Sequence, residues 1–151
     1  MQTKAYPLDF MADFEAAVHE AFNSSFPNSS IVAGLFHLNQ SVFRKIIDLS
    51  LKEKDYKDSE FCLKTRCFSA MAFLPVEDVE EVYGELKDDE EVPAEFIANF
   101  DLTYIEVVRG CGARQRRGPP TFPITVWNVN QRMLQDLPRT NNAAVGEWFI
   151  L

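Results

Sequence analysis

The pattern of apolar and polar residues in the first fifty positions predicts strand, helix, strand and helix. A mainly apolar and aromatic run over residues 6–11 predicts the first strand. The first helix carries an apolar row at spacings of three and four residues: Phe14, Ala17, Val18, Ala21 and Phe22. Its remaining side chains are expected to face outward: Glu15, His19 and Glu20. A second β-like run over residues 30–36 precedes a helix with the buried row Leu38, Val42, Ile46 and Leu49. This alternation predicts an α/β layer with a parallel pair of strands.

From Lys52 to Val108 the apolar spacing predicts helices only. Their rows are Leu63, Cys67, Ala70, Met71 and Leu74, then Val79, Val82, Tyr83 and Leu86, then Phe96, Ile97, Phe100, Tyr104, Val107 and Val108. The four acids at 88–91 predict a solvated connection. Residues 109–123 hold three Gly, three Pro and four Arg, which predicts an exposed loop. A short helical turn over 131–137 and the start of a helix over 143–151 follow.

Length and composition predict one domain with a hydrophobic core, since the chain has 151 residues and is 46% hydrophobic. No apolar run is long enough to cross a bilayer, and the first residues lack the layout of a signal peptide, so an intracellular protein is expected. Three cysteines without CxxC spacing, Cys62, Cys67 and Cys111, predict reduced and mostly buried thiols.

The net charge of −8 counts against a nucleic-acid partner, but the charge is unevenly distributed. Residues 1–108 hold 9 basic and 21 acidic side chains, whereas residues 109–151 hold 6 Arg and 2 acids. Any contact with a polyanion is therefore expected in the C-terminal third.

Four short segments, in this order, resemble the transposases of Mutator-like elements, which belong to the DDE class. They are Ala12-Asp13-Phe14-Glu15, Phe36-His37-Leu38-Asn39-Gln40 with Arg44-Lys45 after it, Ala72-Phe73-Leu74-Pro75, and Trp127-Asn128 with Arg139-Thr140-Asn141-Asn142. The resemblance implies a mainly helical α/β fold, a partial ribonuclease H-like core with a helical insertion. Residues 1–56 would be the core fragment, 57–137 the insertion and loop, and 138–151 the returning core helix, cut short.

In that family three carboxylates hold two Mg²⁺ or Mn²⁺ ions, which support hydrolysis and strand transfer at phosphodiester bonds. Asp13 matches the second acid, placed where a strand ends and a helix begins. An Asp before an apolar helix is also a common helix cap, and that alternative stays open.

The third acid would be Glu147, but its register departs from the family pattern. Aligning Trp148 leaves Gly146 where the Glu belongs and Phe149 where a His belongs, and one residue turns a helix by about 100°. The first acid would precede Met1. We therefore expect the chain to bind metal poorly and to lack catalytic competence by itself.

The family also has a Cys three residues before the His of its Phe-His motif, and this chain has Gly34 there, so His37 is interpreted as a structural residue. Candidate DNA-contacting residues are Arg114, Arg116, Arg117, Arg139, Asn141 and Asn142. The alternative for the arginine-rich stretch is an ordinary solvated loop.

The sequence thus predicts a remnant or fragment of a transposase that acts in DNA transposition, nuclear by family. Two alternatives stay open: a piece of an active enzyme completed by another chain or by a longer gene, and a repurposed protein- or DNA-binding module. An incomplete sheet would leave an unpaired edge, so self-association is possible, and no membrane partner is expected.

Overall fold

The computed structural model describes residues 9–109 and 116–137. Within them the helices and strands follow the order β1 (Asp9–Ala12), α1 (Ala16–Ser25), β2 (Ser30–Ala33), α2 (Leu35–Asp48), α3 (Lys52–Lys57), α4 (Ser59–Ala70), α5 (Val79–Lys87), α6 (Ala94–Phe100), β3 (Val107–Arg109), β4 (Arg116–Gly118), α7 (Ile124–Trp127) and α8 (Asn130–Leu134). Short 3₁₀ turns cover Met71–Phe73 and Val76–Asp78, and a π-helical turn covers Asp101–Ile105. The described chain is mainly helical, with two small sheets, and no helix in it is long and apolar enough to cross a membrane.

β1 and β2 form the parallel pair that the N-terminal pattern predicts, with α1 as the crossover between them. Their register runs from Asp9 beside Ser30 to Ala12 beside Ala33. Ile31, Val32 and Ala33 are buried, which is why this short apolar run is a strand with covered faces. The α/β start of the chain is therefore confirmed.

The buried face predicted for α1 is largely wrong. Ala17, Val18 and Ala21 are exposed, whereas His19 is buried and Phe22 stacks on Phe10 with ring centroids 4.6 Å apart. The imidazole can be buried because its Nε2 hydrogen-bonds the carbonyl oxygen of Asp13 at 2.9 Å and so keeps a polar partner.

α2 buries three residues of its predicted row, Leu38, Val42 and Ile46, and it packs against α4. The fourth, Leu49, follows the helix and is half-buried. α4 begins at Ser59 because the Asp58 carboxylate accepts the first free backbone N–H groups of the helix, at 3.1 Å. The two predicted thiols that the structure describes, Cys62 and Cys67, are free and half-buried.

The aromatic side chains of α4, α5 and α6 build the second part of the core. Phe68 contacts the rings of Tyr83, Phe96 and Phe100 at centroid distances between 5.0 and 6.2 Å. Tyr104 continues this stack, since its ring lies 4.9 Å from that of Phe100. Edge-to-face and offset arrangements of this kind are favourable beyond the area they bury.

The third predicted helix ends earlier than expected, and the arginine-rich segment after it is not wholly a loop. Val107 and Val108 lie in β3, which pairs antiparallel with β4, so that Val108 faces Arg117 and Arg109 faces Arg116. The prediction of one irregular loop over 109–123 was wrong for β4 because β-branched valines offer a pairing partner that satisfies the backbone groups of Arg116–Gly118.

Phe122 and residues 126–130 are buried, and they contact both the π-helical turn after α6 and the turn after α4. Trp127 is fully buried and donates its indole N–H to the carbonyl of Tyr104 at 3.2 Å. Asn128 donates to the carbonyl of Leu74 and Asn130 to that of Phe73, both at 2.8 Å. These amides donate to carbonyl groups at the end of the 3₁₀ turn that follows α4, where no further helical turn supplies an N–H donor.

The acidic run at 88–91 has a structural partner instead of being only solvated. Lys64 forms ion pairs with Asp89 at 3.0 Å, Glu91 at 3.1 Å and Glu60 at 3.3 Å. The backbone N–H of Glu91 and then the Lys64 ammonium hold the pKa of Asp89 below its ordinary value. Hydrogen bonds to Asp89 and Glu91 raise the pKa of Lys64 in turn.

Candidate functional site

The carboxyl ends of β1 and β2 lie side by side, because Ala12 and Ala33 are partners in the parallel register. Asp13 directly follows β1, and Gly34 directly follows β2 and leads into α2. Polar residues that follow neighbouring parallel strands meet at one edge of a sheet, which is where α/β proteins usually form their sites.

At this edge the Nε2 atom of His37 lies 2.7 Å from Oδ1 of Asp13. The carboxylate is 64% exposed, and the imidazole, on the first turn of α2, is 22% exposed. Asp13 is therefore open to a ligand from solvent on one side, while an imidazole hydrogen bond fixes it on the other.

The backbone of Asp13 is held as firmly as its side chain. Its carbonyl oxygen accepts the backbone N–H of Glu15 at 2.8 Å and Nε2 of the buried His19 at 2.9 Å. α1 begins only at Ala16, and the residue before it, Glu15, makes no side-chain capping bond. Asp13 is thus not the cap of α1, so the alternative interpretation of Asp13 as a helix cap is wrong.

A metal site can be judged from the donors present at the edge. Asp13 offers one hard oxygen ligand and His37 one nitrogen, whereas a two-metal centre for phosphodiester chemistry needs several carboxylates. Among residues 9–109 and 116–137, no group of three His, Cys, Asp or Glu side chains is placed to hold a metal ion. The donors described here do not fit a complete two-metal centre.

The other predicted site residues are not brought to this edge by the described structure. Arg116 and Arg117 lie in β4, while Arg114, Arg139, Asn141, Asn142 and Glu147 lie outside the described residues. Their predicted contacts with DNA, and the metal role of Glu147, stay predictions.

The Asp13–His37 contact was missed at the sequence level, although the sequence carries a signal for it. Asp13 is one residue beyond β1 and His37 four residues beyond β2, so a parallel pair of equal strands brings both to the same edge. His37 was interpreted as a structural residue, but Asp13 was not predicted as the partner of its imidazole.

The segments that carry the family resemblance come together in two pairs. Asp13 contacts His37, and the backbone around Phe73 and Leu74 is hydrogen-bonded by the amides of Asn128 and Asn130. Segments about 55 residues apart in sequence thus share one local structure. Comparison of the chain with protein-family models, with curated proteins and with solved structures gives no match.

Proposed function

We propose that the chain is part of the catalytic domain of a DDE transposase of the Mutator-like kind, built on a partial ribonuclease H-like core with a helical insertion. In this proposal Asp13 is one of the carboxylates that bind divalent metal for DNA cleavage and strand transfer. The working compartment would be the nucleus, where the DNA substrate is.

The position of Asp13 is the observation that carries the proposal. It follows β1 at the edge next to β2, is largely exposed, and is oriented by His37. Asp13 does not cap α1, because the residue directly before the helix is Glu15. An exposed carboxylate that a neighbouring imidazole orients, at the carboxyl edge of parallel strands, is suited to bind a metal ion.

The contact between distant segments gives independent support. Ala72-Phe73-Leu74-Pro75 and Trp127-Asn128 were recognised separately in the sequence, and in the structure Asn128 bonds the Leu74 carbonyl. Residue types that recur together in a family for structural reasons should make such contacts.

By itself the chain is proposed to be inactive. When two metal ions are bound, such a centre stabilises the attacking and leaving oxygens of an in-line displacement. Asp13 alone supplies too little negative charge to hold Mg²⁺ against its hydration, so weak and transient binding is expected at this edge.

The experiment is a titration of the isotope-labelled chain with Mn²⁺ in millimolar amounts, followed by nuclear magnetic resonance. Paramagnetic broadening should centre on the amides of Asp13 and Ala12 and on the ring of His37. In Asp13→Asn this broadening should vanish, because the neutral amide is a poor ligand for the ion.

Asp48→Asn is the matched control, since Asp48 is an exposed carboxylate at the end of α2. This variant should keep the broadening at Asp13. Broadening that centres on the acids of α5 and leaves the β1 edge untouched would refute the metal role of Asp13.

A repurposed binding module is the second candidate, and the exposed apolar side chains of α3 and α4 favour it. Tyr56 is 89% and Leu63 is 66% exposed. Affinity for DNA measured against salt separates the two candidates, because phosphate contacts give a steep negative slope. A flat response would favour a protein partner.

A further inference from the structure

The outer face of α2 carries apolar side chains that the rest of the described structure leaves uncovered. Phe36 is 55%, Phe43 is 44% and Ile47 is 42% exposed, while the opposite face of the helix lies in the core. Together with Gln40 these positions are spaced by four, three and four residues, so they form one line along the helix. We call this line the α2 strip.

Basic side chains border the α2 strip on both sides. Arg44 follows Phe43 directly on the helix, and Arg66 of α4 lines the groove that Phe43 also lines. Within the part of the chain that the structure describes, neither arginine has an ion pair, a hydrogen bond or an aromatic contact.

Three lysines of α3 and α4 are already neutralised or stacked. Lys57 pairs with Glu53, Lys64 pairs with three acids, and Lys54 lies 4.5 Å above the ring of Phe61. In an acidic protein, cations without a counter-charge on either side of exposed aromatic rings indicate an anionic partner.

The groove beside the strip lies between α2 and α4 and has a volume of about 390 Å³. Val42 and Ile46 form its apolar floor, and Asn39 offers an amide at its rim. Ser69 also lines the groove, is 4% exposed, and its hydroxyl has no hydrogen-bond partner among the described residues. A buried hydroxyl without a partner points to a ligand or water in the groove.

One acid, Asp55, also lines the groove, and its carboxylate accepts the hydroxyl of Thr65 at 3.3 Å. A phosphate would be repelled from this end of the groove. The uncharged edge of a nucleobase would not be, since its exocyclic amino groups can donate to a carboxylate. The groove therefore suits a base, and the two arginines suit the phosphates.

We propose that the α2 strip and its groove bind single-stranded DNA. Bases stack on Phe36 and Phe43, one base enters the groove, and Arg44 and Arg66 contact phosphates. Single strands, unlike duplexes, expose the base faces that aromatic side chains need. The proposal deepens the proposed function, on which its choice of DNA rests.

The strip leads directly to the candidate site. The ring of Phe36 lies 5.4 Å from that of His37, whose Nε2 contacts the Asp13 carboxylate at 2.7 Å. A strand stacked on Phe36 would therefore present its backbone near Asp13.

A second copy of the chain is a poorer occupant. Phe side chains bury about 200 Å² when fully covered, and the three half-exposed side chains of the strip offer roughly 300 Å² together. A stable dimer needs about 800 Å² from each partner. The strip is large enough for a few stacked bases and too small for a stable protein interface.

The test measures fluorescence anisotropy of labelled oligo(dC), whose exocyclic amino group can donate to Asp55, as a single strand and within a duplex, with the full chain and with chelator present. The chain should bind the single strand more tightly than the duplex. Phe43→Ala and Phe36→Ala should each weaken binding about tenfold, the loss of one base stack. Arg44→Gln and Arg66→Gln should each reduce the salt slope by about 0.7.

Two control variants keep the test specific. Leu63→Ala removes an even more exposed apolar side chain from α4, and Lys87→Gln removes a cation from α5. Both should bind the single strand like the unmodified chain. Phe43→Trp should retain binding, because indole also stacks on bases.

Equal binding by Phe43→Ala, Phe36→Ala and the unmodified chain would overturn the proposal, as would equal affinity for duplex. A Phe43→Ala variant that changes the elution volume from dimer to monomer without changing DNA affinity would assign the strip to self-association instead. Absence of Mn²⁺ broadening at Asp13 of the unmodified chain, with strand binding intact, would refute the metal role alone. Broadening at Asp13 of the unmodified chain without strand binding would refute this inference alone.

Discussion

Truncation of Asn128 should lower the free energy of unfolding strongly, although the side chain is polar. Its amide donates to the Leu74 carbonyl at 2.8 Å, and its Oδ1 accepts the backbone N–H of Asn130 at 3.0 Å. Asn128 is 8% exposed, so neither partner gains full access to water when the side chain is removed. Asn128→Ala therefore loses two hydrogen bonds and leaves buried polar groups unpaired.

Each lost bond costs about 1 kcal/mol, and an unpaired buried group adds about 1–3 kcal/mol. Some of that cost is relieved because Leu74 is only half-buried, so we expect about 2–4 kcal/mol in all. This is a large part of the roughly 5–15 kcal/mol that stabilises a domain. Urea unfolding followed by circular dichroism should show a midpoint lowered by about 1–2 M with an unchanged slope.

Two further variants define what the result means. Asn128→Asp keeps the acceptor for Asn130 but sets a carboxylate against the Leu74 carbonyl, so it should destabilise at least as much. Gln131→Ala, on the exposed side of α8, should change the free energy of unfolding by less than about 0.5 kcal/mol. If Asn128→Ala unfolded like Gln131→Ala, the amide would not connect the two segments energetically.

Three other predictions follow from described contacts. The pKa of Asp89 is lowered in the folded chain, so its contribution to stability is full above the ordinary value of 3.8 and is lost as pH falls through the folded pKa. Asp89→Asn, or removal of the Lys64 charge, should therefore reduce the loss of stability at acid pH. An unchanged loss would contradict the pairing. Tyr104 donates to the Ser41 hydroxyl at 2.7 Å, so a double-mutant cycle with Tyr104→Phe and Ser41→Ala should give a coupling of about 0.5–1.5 kcal/mol, and additive effects would exclude it. Mg²⁺ or Mn²⁺ should leave the thermal midpoint unchanged, whereas a rise of several degrees that Asp13→Ala abolishes would show tight binding.

The sequence was informative where periodicity and burial agree. The parallel strands were found because short apolar runs alternate with helical rows, and the α2 row of Leu38, Val42 and Ile46 is buried as predicted. Such patterns reflect a requirement that each element meets on its own, namely one apolar face toward the core.

Predictions failed where a long-range contact overrides the local pattern. The imidazole of His19 is polar, yet it is buried because the carbonyl oxygen of Asp13 accepts a hydrogen bond from it. Val107 and Val108 continue a helical row in sequence, but pairing with residues 116–118 makes them a strand. Neither partner can be identified from local spacing.

The candidate site was half predictable. Asp13 was identified through the resemblance, as the match to the family's second acid after a predicted strand, while its contact with His37 required the register between β1 and β2. The α2 strip was not identified, because Phe36, Phe43 and Ile47 look like core material until the structure shows which face of α2 is covered.

One carboxylate does not make a two-metal centre, and the most direct test of this claim is a nicking assay. Supercoiled plasmid is incubated with the purified full chain and Mn²⁺, with Asp13→Asn as the control. Conversion to open circles should not exceed that of Asp13→Asn. Nicking or joining of DNA by the unmodified chain that Asp13→Asn abolishes would contradict the claim, because it would require a complete metal centre around Asp13.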